Sequence, residues 1–348
     1  MRIKRSNALI VLLENDQFVF HNYLVQQTFS ANPTALEILR RLGAWTDLGA
    51  LAETLAGYSR ESIDNAVDQL KELGAIVVED SEGADREDQF EQTWLWGPFA
   101  AAFHFGSRTG DYLAADAADG LLVQQAKYLP SPPLFSRNRH PETDIHLPAA
   151  DLSLEPFQTM ARRRTMRHLR DESISIDALA DCLAVSMGIT GILEDPEIAD
   201  LPLKMTPSGG GRNPYEAYVC VRDVEGAPAG TYHYSAIERT LGPVAVGPPP
   251  PFPDLLAGQN WTRNAAAVIF LVANFDRAMW KYHQPAAYNA TMIEAGHIAQ
   301  NIMLAATAHG LVANPVGALS LDSVEKILGV GAPDRAVVYA LVLGVPET

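Results

Sequence analysis

A proline-rich stretch at residues 129–148, LPSPPLFSRNRHPETDIHLP, constrains this chain more than any other feature. Each proline fixes φ and lacks an N–H, so five of them in this stretch leave room for neither a helix nor a sheet ladder. An irregular connector must therefore separate the residues before it from those after it. We divide the 348 residues accordingly: an N-terminal domain over 1–82, a linker and aromatic connector over 83–150, and a compact α+β domain over 151–348. A chain of this length with 47% hydrophobic residues has material for more than one core.

The N-terminal domain reads as three helices leading into a strand. Residues 32–42 give a helix capped near Asn32, with Pro33 at its first position. Residues 46–57 give a second, capped by Thr46 or Asp47 and closed by Gly57. Residues 59–73 give a third; Gly74 ends it, and residues 75–78 turn strand-like. This order suggests a winged-helix-like module. Such modules often bind DNA, but residues 1–80 carry 7 Lys and Arg against 11 Asp and Glu. The third helix holds Glu61, Asp64, Asp68 and Glu72, a face that suits neither groove nor phosphate. A structural or peptide-docking role is expected instead. Residues 79–92 read as a polar acidic linker, and an aromatic patch at 94–112 comes next.

Charge and cysteine usage narrow the partners. Lys and Arg number 26 and Asp and Glu 42, a formal charge of −16 that repels nucleic-acid phosphates and anionic lipid. The two cysteines, Cys182 and Cys220, lie in no metal-binding spacing, so we expect neither a disulfide framework nor a metal site, and a reducing, cytoplasmic setting. The basic start of the chain is followed by an apolar run (residues 8–13) too short for a signal peptide. No run approaches the roughly 18 apolar residues a membrane span needs.

Three constellations can carry chemistry. Arg162, Arg163, Arg164, Arg167 and Arg170 cluster on this otherwise acidic chain. Arg163 and Arg167, four apart, share one side of a helical turn. Their planar forks suit phosphate, although a solvated face paired with acids would look the same. Residues 207–214, PSGGGRNP, form a loop that enters a strand with Tyr215, Ala217, Val219 and Val221 alternating. The loop is neither GxGxxG nor a P-loop; its bare backbone suits a planar ligand, or simply a turn. Residues 291–309 have helical periodicity through Met292, Ala295, Ala299, Ile302 and Ala306, with Ala295, Gly296 and Ala299 small enough for close packing. His297 within it reads as a core or interface histidine. Lys281 and Tyr282 stand just before this helix, and residues 313–320, ANPVGALS, make a second Pro/Gly turn able to face the first.

Taken in order, these stretches resemble the nitroreductase superfamily of flavoproteins, and within it the thiazoline/oxazoline oxidase branch that matures azole peptides. The resemblance rests on residues 163–167 (RRTMR), 207–218 (PSGGGRNPYEAY), Lys281 and Tyr282, residues 294–311 (EAGHIAQNIMLAATAHGL) and residues 315–319 (PVGAL). Residues 229–234 (AGTYHY) and 103–110 (FHFGSRTG) add to it. It implies a nitroreductase-like domain with a central mixed sheet flanked by helices, and a homodimer binding one FMN per interface. By resemblance, Arg163, Arg164, Thr165 and Arg167 hold the phosphate and ribityl chain. Pro207, Ser208, Gly209 and Gly210 line one side of the flavin ring, and Pro315, Val316 and Gly317 lie near its reactive edge. Lys281 and Tyr282 match the pair held to be catalytic in azoline oxidases. The lysine would act as base if burial and nearby cations lowered its pKa. The implied partners are a peptide substrate and a cyclodehydratase or other maturation enzyme.

The chain also departs from the branch. Thr165 replaces a serine, Arg212 and Asn213 replace an apolar or aromatic pair, and residues 283–290 lack the usual arginines. The last two departures lie toward the substrate. The group oxidised is therefore open between an azoline and another peptide group, such as an aromatic side chain or a modified C-terminus. A non-catalytic leader-peptide docking subunit is a reading of another class. A general nitro- or quinone reductase is disfavoured by the large N-terminal region and by the Lys281–Tyr282 pair.

Overall fold

The computed structural model describes residues 1–15, 17–106, 127, 155–194, 201–282 and 286–347. The proline-rich connector and residues 107–112 of the aromatic patch lie outside them. The described chain forms two compact units. The first gathers Met1–Gly110 with two later stretches, Asn274–Thr291 and Gly331–Ala336; the second holds the rest.

In the first unit the capping chemistry sets the helices. Asn32 accepts from Ala35 N–H at the start of helix Pro33–Arg41, and Asp47 accepts from Gly49 N–H before helix Leu48–Thr54. Ser59 caps helix Arg60–Glu72 in the same way, satisfying an otherwise orphan donor. Gly74, at φ +68°, turns the chain into strand Ile76–Val78. That strand pairs with Arg2–Arg5, which pairs in turn with Thr46–Asp47. Strands Leu9–Glu14, Gln17–Asn22 and Gln27–Ala31 form an antiparallel meander that the helical reading of the sequence did not foresee. Ile3, Phe20, Leu39, Leu51, Val67 and Ile76 meet in the core.

The expected acidic linker is in fact a helix, Glu82–Thr93, capped by Ser81. Its polarity misleads because the buried face is narrow: Ala84, Glu87 and Phe90 turn inward. Glu87 is buried beside the equally buried Lys4, with Nζ 3.9 Å from Oε2. The next helix, Gly97–Gly106, completes an aromatic core with Asn274–Thr291. Trp96 packs edge-on to Phe275 and Tyr288, and His104 Nδ1 lies 2.9 Å from Tyr288 Oη.

The second unit is built on a seven-stranded sheet among the described residues. Its central order is Thr240–Val246, Gly230–Ser235, Tyr215–Val221, Ala267–Asn274, Arg335–Pro346, Val312–Val316, with Leu169–Arg170 also on Arg335–Pro346. The sheet was expected to be mixed, yet every pairing in it with a recorded register is antiparallel. Among the described residues, a parallel ladder joins Val224–Glu225 to Ile174–Ser175. All eight residues of Ala267–Asn274 are buried, as befits a central strand covered on both faces. Helices Phe252–Leu255 and Leu321–Leu328 contribute Phe252, Leu255, Val324 and Leu328 to the core beneath it.

Candidate functional site

The arginine segment is docked onto the sheet by one buried side chain. Asn314, 1% exposed, sits within strand Val312–Val316. Its Oδ1 accepts from Met166 N–H at 3.1 Å, and its Nδ2 donates to Met166 O at 2.6 Å. Both polar groups of Met166 are thus held by one amide, which brings residues 163–167 alongside Pro315, Val316 and Gly317. Arg163 is half-buried, and Arg164, Thr165 and Arg167 are exposed. Arg164 donates to the carbonyls of Ala161 and Arg163, and the Arg167 guanidinium lies 5.8 Å from the Trp261 ring centroid. Among the described residues none of these three arginines pairs with a carboxylate, whereas Arg170 and Arg222 pair with Glu172 and Asp171. The Val316 side chain belongs to the core, so this residue offers only backbone to a ligand.

The glycine loop is held from the other side, by helix Ala286–Ala308. Glu294 Oε2 accepts from Ser208 Oγ at 2.9 Å and from Gly209 N–H at 3.3 Å. About two helical turns further on, Asn301 Nδ2 donates to Thr206 Oγ1 and to Val185 O, each at 3.0 Å. Gly209–Gly211 then form a single turn of 3-10 helix, with Gly210 and Gly211 at φ +60° and +69°. That region disfavours side chains, which accounts for consecutive glycines. A Cβ on Gly209 or on Gly317 would meet nothing within 4 Å, so both backbones border open space.

Both turns leave the sheet at the same end. Tyr215, where the glycine loop enters its strand, pairs with Ala273 near the C-terminal end of Ala267–Asn274. That end lies level with the start of Arg335–Pro346, because Ala266 N–H, at the opposite end, bonds Leu343 O. Val316 pairs with Ala340, so the chain leaves strand Val312–Val316 toward that same start. Three strand spacings of about 4.8 Å, roughly 14 Å, separate the two strands concerned.

Burial raises the Glu294 carboxyl above the usual carboxylate range, opposed by the bonds from Ser208 and Gly209 and by the charges of Lys204 and His297. Its other oxygen, Oε1, is buried without a hydrogen-bond partner among the described residues. His297 itself is exposed, which corrects the core half of its reading as a core or interface histidine.

Lys281 and Tyr282 belong to the first unit, at the end of helix Phe275–Lys281. Trp96 Nε1 donates to Tyr282 O at 2.8 Å, so the aromatic patch fixes the backbone of this pair. Lys281 Nζ lies 5.6 Å from the Tyr282 ring centroid. The burial made a condition for a lowered lysine pKa is not seen: Lys281 is exposed, and Tyr282 is 38% exposed.

Cys182 and Cys220 are fully buried, and burial pushes their thiols up to about 12 and about 11. No group of three or more His, Cys, Asp or Glu among the described residues is placed to hold a metal ion. No described helix is long and apolar enough to cross a membrane.

Asn314, Glu294 and Asn301 are the residues that sequence reasoning passed over. Each lay inside a quoted motif, yet a side chain that grips distant backbone leaves no local signature.

Comparison with known proteins gives the family. The family model described as the nitroreductase family matches residues 160–345. A protein of Methanocaldococcus jannaschii described as a candidate nitroreductase is 29% identical over 189 residues, 53% of this chain and 89% of its own length. The trifolitoxin-processing protein TfxB of Rhizobium leguminosarum bv. trifolii is 25% identical over 293 residues, 79% of this chain and 78% of its own. Among solved structures, a chain of the E. coli microcin synthetase McbBCD complex with truncated pro-MccB17 bound is 20% identical, with a TM-score of 0.49 over 76% of this chain and 92% of that one.

Proposed function

The chain belongs to the nitroreductase family, and from that premise we propose that it is an FMN-dependent oxidoreductase that oxidises an azoline to an azole on a peptide during maturation. The observation that carries the flavin is the arginine segment. On a chain of charge −16, Arg163, Arg164 and Arg167 are gathered without a carboxylate among the described residues, beside a strand end that shares one edge of the sheet with the glycine loop. Charge-assisted bonds to a phosphate answer that arrangement. The open space over Gly209 and Gly317 suits a planar ring pressed against backbone.

In this reading Arg163, Thr165 and Arg167 hold the phosphate and ribityl chain, and residues 207–210 and 315–317 border the ring. When bound, FMN supplies the hydride acceptor, with dioxygen as final oxidant. Lys281, exposed as it stands, would remove the proton from the acidic ring carbon once bound substrate and flavin shield it from water, and Tyr282 would orient the azoline ring. The likeness to a protein named for processing trifolitoxin supports a peptide substrate; its 79% coverage exceeds the 160–345 region and so takes in residues that precede it. We further assign a homodimer, since Phe99, Phe103 and Trp280 expose 85%, 66% and 56% of their surface.

The test is direct. Purified protein should be yellow and release FMN, identified by mass, and should convert a thiazoline-bearing peptide to a product lighter by the mass of a hydrogen molecule. FAD as the sole flavin, or no flavin at all, would overturn the cofactor. An unchanged peptide mass with FMN bound would overturn the substrate.

A further inference from the structure

Most of the basic side chains in residues 1–80 are answered by acids. Arg2 pairs with Glu79, Lys4 with Glu87 and Glu91, Arg41 with Glu37, Arg60 with Asp64 and Lys71 with Asp68. That leaves Arg5 and Arg40, which pair with no carboxylate among the described residues although the same stretch carries 11 Asp and Glu. Both line one pocket of about 290 Å³ in the first unit. A helix C-terminus favours cations, and Arg40 stands in the last turn of helix Pro33–Arg41. Arg41 stands in the same turn, however, and still takes Glu37.

Three elements build the pocket. Arg5 ends strand Arg2–Arg5, and its N–H bonds Leu42 O at 2.7 Å, which sets it beside the end of the helix. Leu36, Leu39 and Arg40 lie three and four apart on one side of that helix. Leu9 and Val11 share a face of strand Leu9–Glu14, and Val11 pairs with Phe20. Leu9, Val11, Phe20, Leu36 and Leu39 thus face the pocket with hydrocarbon, and the two arginines face it with charge. Phe20 and Leu39 belong to the buried core, whereas Val11 is 43% exposed and Arg40 is exposed, so these two form the rim. The polar residues Ser6 and Asn7 are engaged elsewhere. Ser6 Oγ accepts from Ala8 N–H and Asn22 Nδ2, and Asn7 donates to Glu87 and Glu91.

Two guanidinium forks beside an apolar wall suit an anion that carries hydrocarbon. Glu87 and Glu91, held by Asn7, add negative charge nearby, and each further charge on a ligand meets that repulsion. A single carboxylate therefore fits better than a doubly charged phosphate. We propose that this pocket binds an amphiphilic carboxylate, its head between Arg5 and Arg40 and its apolar body over Leu9, Val11, Phe20, Leu36 and Leu39. Such a group is found on a free acyl carboxylate and on the last residue of a chain that ends in an apolar side chain. The proposal does not depend on the oxidase reading.

The experiment titrates the full chain with decanoate by calorimetry. Binding should saturate at one per chain and weaken with added salt. Decanol, which lacks the charge, should bind about tenfold or more weakly. Arg5→Gln and Arg40→Gln should each cost decanoate about tenfold or more, as expected for a lost charge-assisted bond. Arg40 is exposed, so its variant tests the site even if Arg5→Gln does not fold. An acetylated dipeptide of two leucines with a free C-terminus, compared with its amide, separates the two sources. Preference for the free dipeptide over decanoate assigns the pocket to a chain terminus, and the reverse assigns it to a free acyl carboxylate. Binding of neither probe, decanol binding as tightly as decanoate, or full affinity in Arg40→Gln overturns the proposal. So does a loss of decanoate binding in Arg163→Ala, which would put the anion at the arginine segment of the second unit.

Discussion

Glu294 and Ser208, on the long helix and the glycine loop, are joined by a 2.9 Å hydrogen bond in which the hydroxyl donates to a buried carboxylate. The same carboxylate oxygen takes the neighbouring Gly209 N–H. The helix thus sets the loop by an acid whose own pKa is raised by burial.

A raised carboxyl pKa means the folded protein holds the proton more tightly than the unfolded one. The corresponding stability is present at low pH and is lost as pH rises through the folded pKa. Glu294→Gln mimics the protonated acid and keeps an acceptor for Ser208. It should melt above wild type at about pH 8, with the difference shrinking toward about pH 5. Thermal melts across that range decide it, and a difference independent of pH would show that Glu294 does not titrate in this window.

Asn314→Ala removes the amide that holds both polar groups of Met166. Leaving these backbone groups unpaired costs about 1–3 kcal/mol. Denaturant unfolding should show that loss, and flavin should dissociate more readily because residues 163–167 lose their anchor. Full stability in the variant would mean that Met166 finds other partners.

Arg163→Ala and Arg167→Ala each remove one charge-assisted contact to the proposed phosphate, worth about 1.5–3 kcal/mol. FMN affinity should fall by about tenfold or more for each. Flavin fluorescence on dilution measures it; unchanged retention in both would return these arginines to a solvated face.

Lys281→Ala should slow substrate oxidation by about 10²–10⁴-fold, the usual range for a general base. FMN content and assembly should be unchanged. Anaerobic single-turnover loss of flavin absorbance is the readout, and a wild-type rate would remove Lys281 from the chemistry. Tyr282→Phe should be the milder change if the ring only positions the substrate.

Cys182 and Cys220, both buried with raised pKa values, should resist a thiol reagent in the native protein and react only on unfolding. Rapid native labelling of either would reveal local opening.

The local elements of this chain were legible where a cap or a period announces them. Asn32, Asp47 and Ser59 mark helix starts that the structure reproduces, and Gly74 and Gly310 take the positive φ expected at helix ends. The strands at 9–31 went unread because Val11, Leu12 and Leu13 are partly exposed, which blurs the alternation a half-buried strand should show. Helix Glu82–Thr93 was hidden by its charge, since its burial depends on Lys4, far off in sequence. The placement of the site residues obeyed the same rule. Motif order identified the arginine segment and the two turns, but which side chains lock them in place, Asn314 and Glu294, is a property of pairs distant in sequence.

The discontinuity of the first unit bears on how the protein is made. Trp96 finds the carbonyl of Tyr282 only 186 residues downstream, and its other neighbours, Phe275 and Tyr288, are as late. During synthesis this N-terminal half must wait, with indoles uncovered, until most of the chain has emerged, and closing so long a loop makes that step slow. A gene fragment ending in the proline-rich connector would leave the same indoles bare. The segment around Trp96 is therefore completed only together with the lysine and tyrosine whose backbone it holds.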